Sequence, residues 1–131
     1  MEAAKYGPFP YVPINRRPKI TWPGGARIAV WVGPNIETFA LNEQMPAGRG
    51  KIPDVMNWSL RDYGARIGVY RIMDVLAARD IRASVLLNSD VCDAYPEIIE
   101  DAAKLGWEFL GHNETNTQIL CDIDPDDEER L

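Results

Sequence analysis

One histidine, His112, occurs among the 131 residues. It stands directly after Gly111 and opens the polar run His112-Asn113-Glu114-Thr115-Asn116. An imidazole changes charge near neutral pH, so it can serve as acid, base or metal ligand. A second group of interest is Glu37, a carboxylate in the segment Gly33-Pro34-Asn35-Ile36-Glu37. A carboxylate and an imidazole suit general acid–base work on water, provided the fold brings them together. Asn35, Asn116 and Glu114 are expected to contact substrate, because amide and carboxylate side chains hydrogen-bond amides and sugar hydroxyls. Asn88, in a third polar segment Asn88-Ser89-Asp90, reads as a turn-forming asparagine.

The elements that would position these groups are legible as changes of period. The apolar run Ile28-Ala29-Val30-Trp31-Val32 predicts a strand over 27–32 that is buried on both faces. A long loop follows, from Gly33 to about Ser59. Val69, Ile72, Met73 and Leu76 fall at i, i+3, i+4 and i+7, one stripe of a helix from about Asp62 to Arg79. Ala83 to Leu87 predicts a second buried strand. Pro96 and Glu97 suit a helix start, Ile98, Ala102 and Leu105 form its apolar stripe, and Gly106 closes it. Trp107 to Leu110 predicts a third strand, also buried, which runs into His112. Strands alternating with helices imply βαβ crossovers and a parallel sheet. In such folds reactive groups gather at the C-terminal ends of the strands. The segments carrying Glu37, Asn88 and His112 all fall there.

The flanks differ from this body. Residues 1–25 hold Pro8, Pro10, Pro13, Pro18 and Pro23, so they are expected to form an extended N-terminal arm. Residues 26–131 are expected to form the α/β domain. Asp124-Pro125-Asp126-Asp127 carries the opening signals of a further helix. Three parallel strands with another helix just begun predict an incomplete barrel, truncated at its C-terminus, with an edge to cover.

Composition narrows the function classes. The hydrophobic fraction is 46% and the charged fraction 26%, as in ordinary globular domains. The net charge is −6 and no basic stripe occurs, so nucleic acid is not an expected partner. No apolar run reaches the ~20 residues of a membrane span, and the N-terminus has no apolar leader. Cys92 and Cys121 have no metal-ligand spacing and read as reduced thiols. The expected location is therefore cytoplasmic. No dinucleotide fingerprint, phosphate-binding loop, nucleophile elbow or HExxH motif is present. One histidine with scattered carboxylates does not make a zinc ligand set, and no cofactor is expected.

The ordered series of motifs resembles the polysaccharide deacetylase (NodB-homology) superfamily, and within it the allantoinase-like branch. The resemblance is carried by Trp22-Pro23-Gly24-Gly25-Ala26-Arg27-Ile28-Ala29-Val30 leading to Asn35-Ile36-Glu37, then by Asp62-Tyr63-Gly64-Ala65-Arg66-Ile67-Gly68-Val69. It continues through Ile81-Arg82-Ala83-Ser84 and Tyr95-Pro96-Glu97-Ile98-Ile99 to Gly106-Trp107-Glu108-Phe109-Leu110-Gly111-His112. It covers about residues 20–125.

The resemblance implies a fold class, α/β with the N-terminal half of a distorted parallel (β/α) barrel. It also implies a chemistry, hydrolysis of non-peptide carbon–nitrogen bonds in N-acetylated sugars or in ring amides and imides. Metal-dependent members place paired aspartates in the first motif and H-x-x-x-H in the second. Here Asn35-Ile36-Glu37 replaces the first, and Asn116 stands where the second histidine would be. The allantoinase-like branch is similar in lacking the full metal set. The resemblance therefore carries Glu37 and His112 over as catalytic positions, with no metal. The isolated chain is expected to be weak or inactive. The alternative is a non-catalytic deacetylase-like binding domain, or one half of a split barrel completed by a C-terminal half or by a homo-oligomer.

Overall fold

In the computed structural model, residues 10–44, 52–118 and 123–128 are described. The chain divides into two compact units, Met1–Val30 and Trp31–Leu131. In the first, short 3₁₀ turns form at Ile14–Arg16 and Pro23–Gly25, as a proline-rich segment dictates. The Arg17 guanidinium donates to the Val12 carbonyl at 2.9 Å and ties the first turn back on itself.

The second unit is mixed α/β. Its sheet holds β1 (Asn35–Ile36), β2 (Ser84–Leu87) and β3 (Glu108–Gly111) in the spatial order β1-β2-β3, all parallel. Between β1 and β2 the chain forms α1 (Val55–Tyr63), a π-helical segment (Gly64–Gly68) and α2 (Val69–Ala77). Between β2 and β3 lie α3 (Asp90–Ala94) and α4 (Pro96–Lys104). A short α5 (Pro125–Glu128) follows. Among the described residues no helix is long and apolar enough to cross a membrane.

The first strand lies later than the apolar run predicts. Val32 and Pro34 already accept backbone bonds from Ser84 and Leu86, both at 3.0 Å, but strand geometry begins only at Asn35. Trp31, expected inside the strand, is exposed. The run is apolar enough for a buried strand, yet the pairing register is set by β2, which meets residues 35 and 36. The predicted loop from Gly33 to Ser59 consequently contains β1 and the first turn of α1. Asp54 caps that helix, its Oδ1 accepting from the Asn57 amide at 3.1 Å.

The third strand is not buried: each of its residues is exposed, and only the preceding Trp107 is inside. It is an edge of the described sheet, and Phe109 and Leu110 are exposed on its two faces, whereas Ile36 on the opposite edge strand is buried.

Other expectations agree with the structure. Pro96 opens α4, and Ile98 and Ala102 are buried on its stripe. Gly106 adopts φ 70° and closes the helix. Its amide bonds to the Ala103 carbonyl and that of Trp107 to Ala102, both at 3.0 Å, the paired bonds of a left-handed helix end. Asp124 caps α5 by accepting from the Asp126 amide at 3.0 Å. Cys92 is a free, exposed thiol, while Cys121 lies outside the described residues.

The core sits between one face of the sheet and the helices. Ile36 and Val85 meet Val69, Met73 and Leu76 of α2, and Ile98 and Ala102 of α4. Ile98, Val85 and Val91 are almost wholly excluded from water. Each such side chain stabilises the fold by about 1.5–3 kcal/mol of transfer free energy.

Candidate active site

Register carries the candidate residues to one place. Side chains alternate across a strand, and parallel partners share a face. Asn35 pairs with Leu86, and Leu86 with Leu110. Two residues on, the same face receives Glu37, Asn88 and His112. The backbone ladder continues to this row through Asn88 N–H to Ile36 carbonyl at 3.1 Å and His112 N–H to Leu87 carbonyl at 2.9 Å. The row lies just past the C-terminal ends of all three strands.

Glu37 and His112 are separated by the width of β2, and both have side chains long enough to span it. His112 Nε2 lies 3.1 Å from Glu37 Oε1. Asn35 Nδ2 donates to the same oxygen at 3.1 Å. Two partners thus fix one oxygen of the carboxylate, and among the described residues no hydrogen bond engages the other. The pair is part-exposed, with side-chain exposures of 36% for His112 and 23% for Glu37, so water can reach it.

The remaining predicted residues divide. Asn116 lies in the network, but its Oδ1 accepts from Asn88 Nδ2 at 3.1 Å and its amide donates to Thr38 carbonyl at 3.0 Å. It braces the site. Glu114 has an exposed side chain with no hydrogen bond among the described residues. Its backbone carbonyl accepts from Asp90 at 3.2 Å.

Asn88 differs most from its sequence reading. It is fully buried, the one buried polar residue among those described. Its side chain joins the exits of all three strands, which a turn asparagine does not do. The signal was its place two residues after half-buried Leu86 on the polar face, visible only once register is known. Thr115 and Thr117 also escaped notice. Thr115 Oγ1 donates to Thr38 carbonyl at 3.1 Å, and Thr117 Oγ1 accepts from the Ala40 amide at 2.6 Å. They close the loop after β3 onto the loop after β1.

Beside Glu37 opens a cleft of about 440 Å³, walled by Phe39, Trp58, Arg61, Asp62 and Tyr95. Its walls are fastened to one another. The Arg61 guanidinium lies 4.9 Å from the Phe39 ring centre, and Trp58 Nε1 donates to the Phe39 carbonyl at 2.9 Å. Asp62 accepts from the Tyr95 hydroxyl and pairs with Arg66. Burial, with the Asp62 hydrogen bond second, pushes the Tyr95 hydroxyl above the usual phenol range. The hydrogen bond to Asp62, followed by its charge, raises the Arg66 guanidinium. The Asp62/Arg66 spacing of one helical turn was visible in the sequence, but the Tyr95 partner was not.

Among the described residues the donor set at Glu37 and His112 does not make up a tetrahedral zinc site. Glu37 and His112 face each other, and Asn116 spends its oxygen on Asn88. Among the described residues no group of three or more His, Cys, Asp or Glu converges. What the arrangement can do is hold a carboxylate with one fixed and one open oxygen beside water and a cleft of small-molecule size. The chain matches no family model, no curated protein and no solved structure.

Proposed function

We propose that this chain contributes the Glu37–His112 pair to hydrolysis of a non-peptide carbon–nitrogen bond, as the resemblance to allantoinase-like polysaccharide deacetylases implies. The observation that carries the reading is the 3.1 Å contact between Glu37 Oε1 and His112 Nε2 at the C-terminal rim of a parallel sheet. Glu37 is the base. Its open oxygen takes a proton from water as the water oxygen bonds to the amide carbon. His112 and Asn35 hold the other oxygen and orient the carboxylate. The proton then passes from Glu37 to the leaving nitrogen as the C–N bond breaks, yielding an acid and an N–H that belongs to an amine for an acetylated sugar and to an amide or ureide for an opened ring. Such a base contributes about 10²–10⁴-fold.

The barrel belongs to the same proposal. Consecutive parallel strands in the order β1-β2-β3, with α2 and α4 packed together, suit a section of a (β/α) barrel wall. The rest of the wall would come from a C-terminal half or from a second copy. Slow turnover by the chain alone follows, since the proposal assigns no oxyanion donor to it.

The test is ring opening of allantoin and cyclic imides to the corresponding acids, and release of acetate from N-acetylglucosamine oligomers. Slow hydrolysis that falls about 10²-fold in Glu37→Gln is the expected result. Turnover that survives both Glu37→Gln and His112→Ala unchanged sinks the reading. A second reading, ligand binding without chemistry, is favoured by the built cleft and by Asn116 standing where the family has histidine. Thermal stabilisation by an amide ligand, with no product formed, would select it.

A further inference from the structure

We propose that Asn88 is the positioning residue that sets the Glu37–His112 spacing. The inference rests on reading that pair as the working groups, but its test reads geometry rather than turnover, so either can fail alone.

Asn88 sits between the two in the row across the strand ends and is fully buried. Its Oδ1 accepts from the amide of Thr38, the residue after Glu37, at 2.9 Å. Its Nδ2 donates to the carbonyl of His112 itself, to Asn113 carbonyl at 3.5 Å and to Asn116 Oδ1 at 3.1 Å. One side chain therefore clasps the backbone of both partners, from opposite sides, at the last rungs of the ladder where their strands end.

Only a short amide meets this demand. On the β1 side a donor must be accepted, and on the β3 side the facing atoms are all acceptors. Aspartate has the same shape but, when ionised, offers only acceptors and would face three oxygens unpaired. Alanine leaves the Thr38 amide and the His112 carbonyl without these side-chain partners at a fully buried position. The bonds to Thr38 and His112 also explain why the dyad forms across two strands although the strands themselves touch only through β2.

Because His112 is the sole histidine, its ring nitrogens give one set of NMR signals. Glu37→Gln is expected to move the Nε2 signal. In an Asn88→Asp background the same change should move it at least about threefold less, the non-additivity of a lost contact. A merely structural Asn88 would lower the melting temperature and leave the Glu37→Gln displacement at full size, which would overturn the proposal. A second measurement uses the unmodified protein and is independent of whether Asn88→Asp folds. The Thr38 amide and the Asn88 side-chain NH₂ should exchange with solvent together, at least about tenfold slower than unprotected groups of the same kinds in the unfolded chain. Exchange of either at the unprotected rate would also overturn it.

Discussion

Along β2, Val85 is fully buried in the core, whereas Leu86, the next residue, faces the side where Asn35 and Leu110 are exposed. The two faces divide their labour. The helix side holds Ile36 and Val85 with the stripes of α2 and α4, and supplies the apolar burial that folds the unit. The other side carries Ser84 bonded to Glu108 at 3.0 Å, then Asn35, then the row of Glu37, Asn88 and His112. A step of one residue separates packing from chemistry, so a one-residue slip would exchange them.

The comparison can be broken by substitution. Ile98→Ala on the covered side should cost about 2–5 kcal/mol in urea denaturation, while Leu110→Ala on the open side should cost less than about 1 kcal/mol. Similar losses would mean the faces are not distinct. The rim sharpens it next. Tyr95→Phe removes the hydroxyl that Asp62 accepts and should cost about 1–2 kcal/mol. Its pH dependence has a definite sign. The folded state holds the Tyr95 proton more tightly than the unfolded chain does. That stability is intact below the ordinary phenol value of about 10 and is lost as pH rises through the higher folded value. Alkaline melting should begin above about pH 10 and be blunted in Tyr95→Phe. Gly106→Ala forces a Cβ into the left-handed φ of 70° and should cost about 1 kcal/mol by thermal denaturation. Smallest is Glu37→Gln, whose part-exposed pair is worth about 0–1 kcal/mol. Its stability should barely move while hydrolysis falls, the opposite of Ile98→Ala.

Helices α2 and α4 and the second and third strands were readable because each carries one unbroken period, Ile98 and Ala102 for α4 and Val69, Met73 and Leu76 for α2, whereas α1 begins inside the predicted loop and α3 carries no such signal. His112 could be placed at a strand end for the same reason, whereas Glu37 was placed after an apolar run that lies earlier than the strand it follows. What escaped was whatever depends on pairing. The run Ile28 to Val32 is locally a better strand than Asn35-Ile36, yet β2 pairs with the latter. Asn88 shows the same limit. Nothing local separates a buried amide from a turn residue, since its partners lie 24 to 50 residues away in the chain. Exposure of β3 was illegible too, because Phe109 and Leu110 have the composition of a covered strand.

The π-helical segment between α1 and α2 has a consequence for how this unit tolerates length change. Val69 N–H reaches back to Gly64 carbonyl, one residue further than in an α-helix, so the segment holds the equivalent of a single inserted residue. Removing it would restore the ordinary winding, because the wider turn absorbs the extra residue locally. Val69, Met73 and Leu76 would stay seated, and Trp58, Arg61 and Asp62 would keep facing Phe39 and Tyr95. A deletion in the regular turns of α2 would instead rotate everything upstream by about 100° about the axis and take the cleft apart.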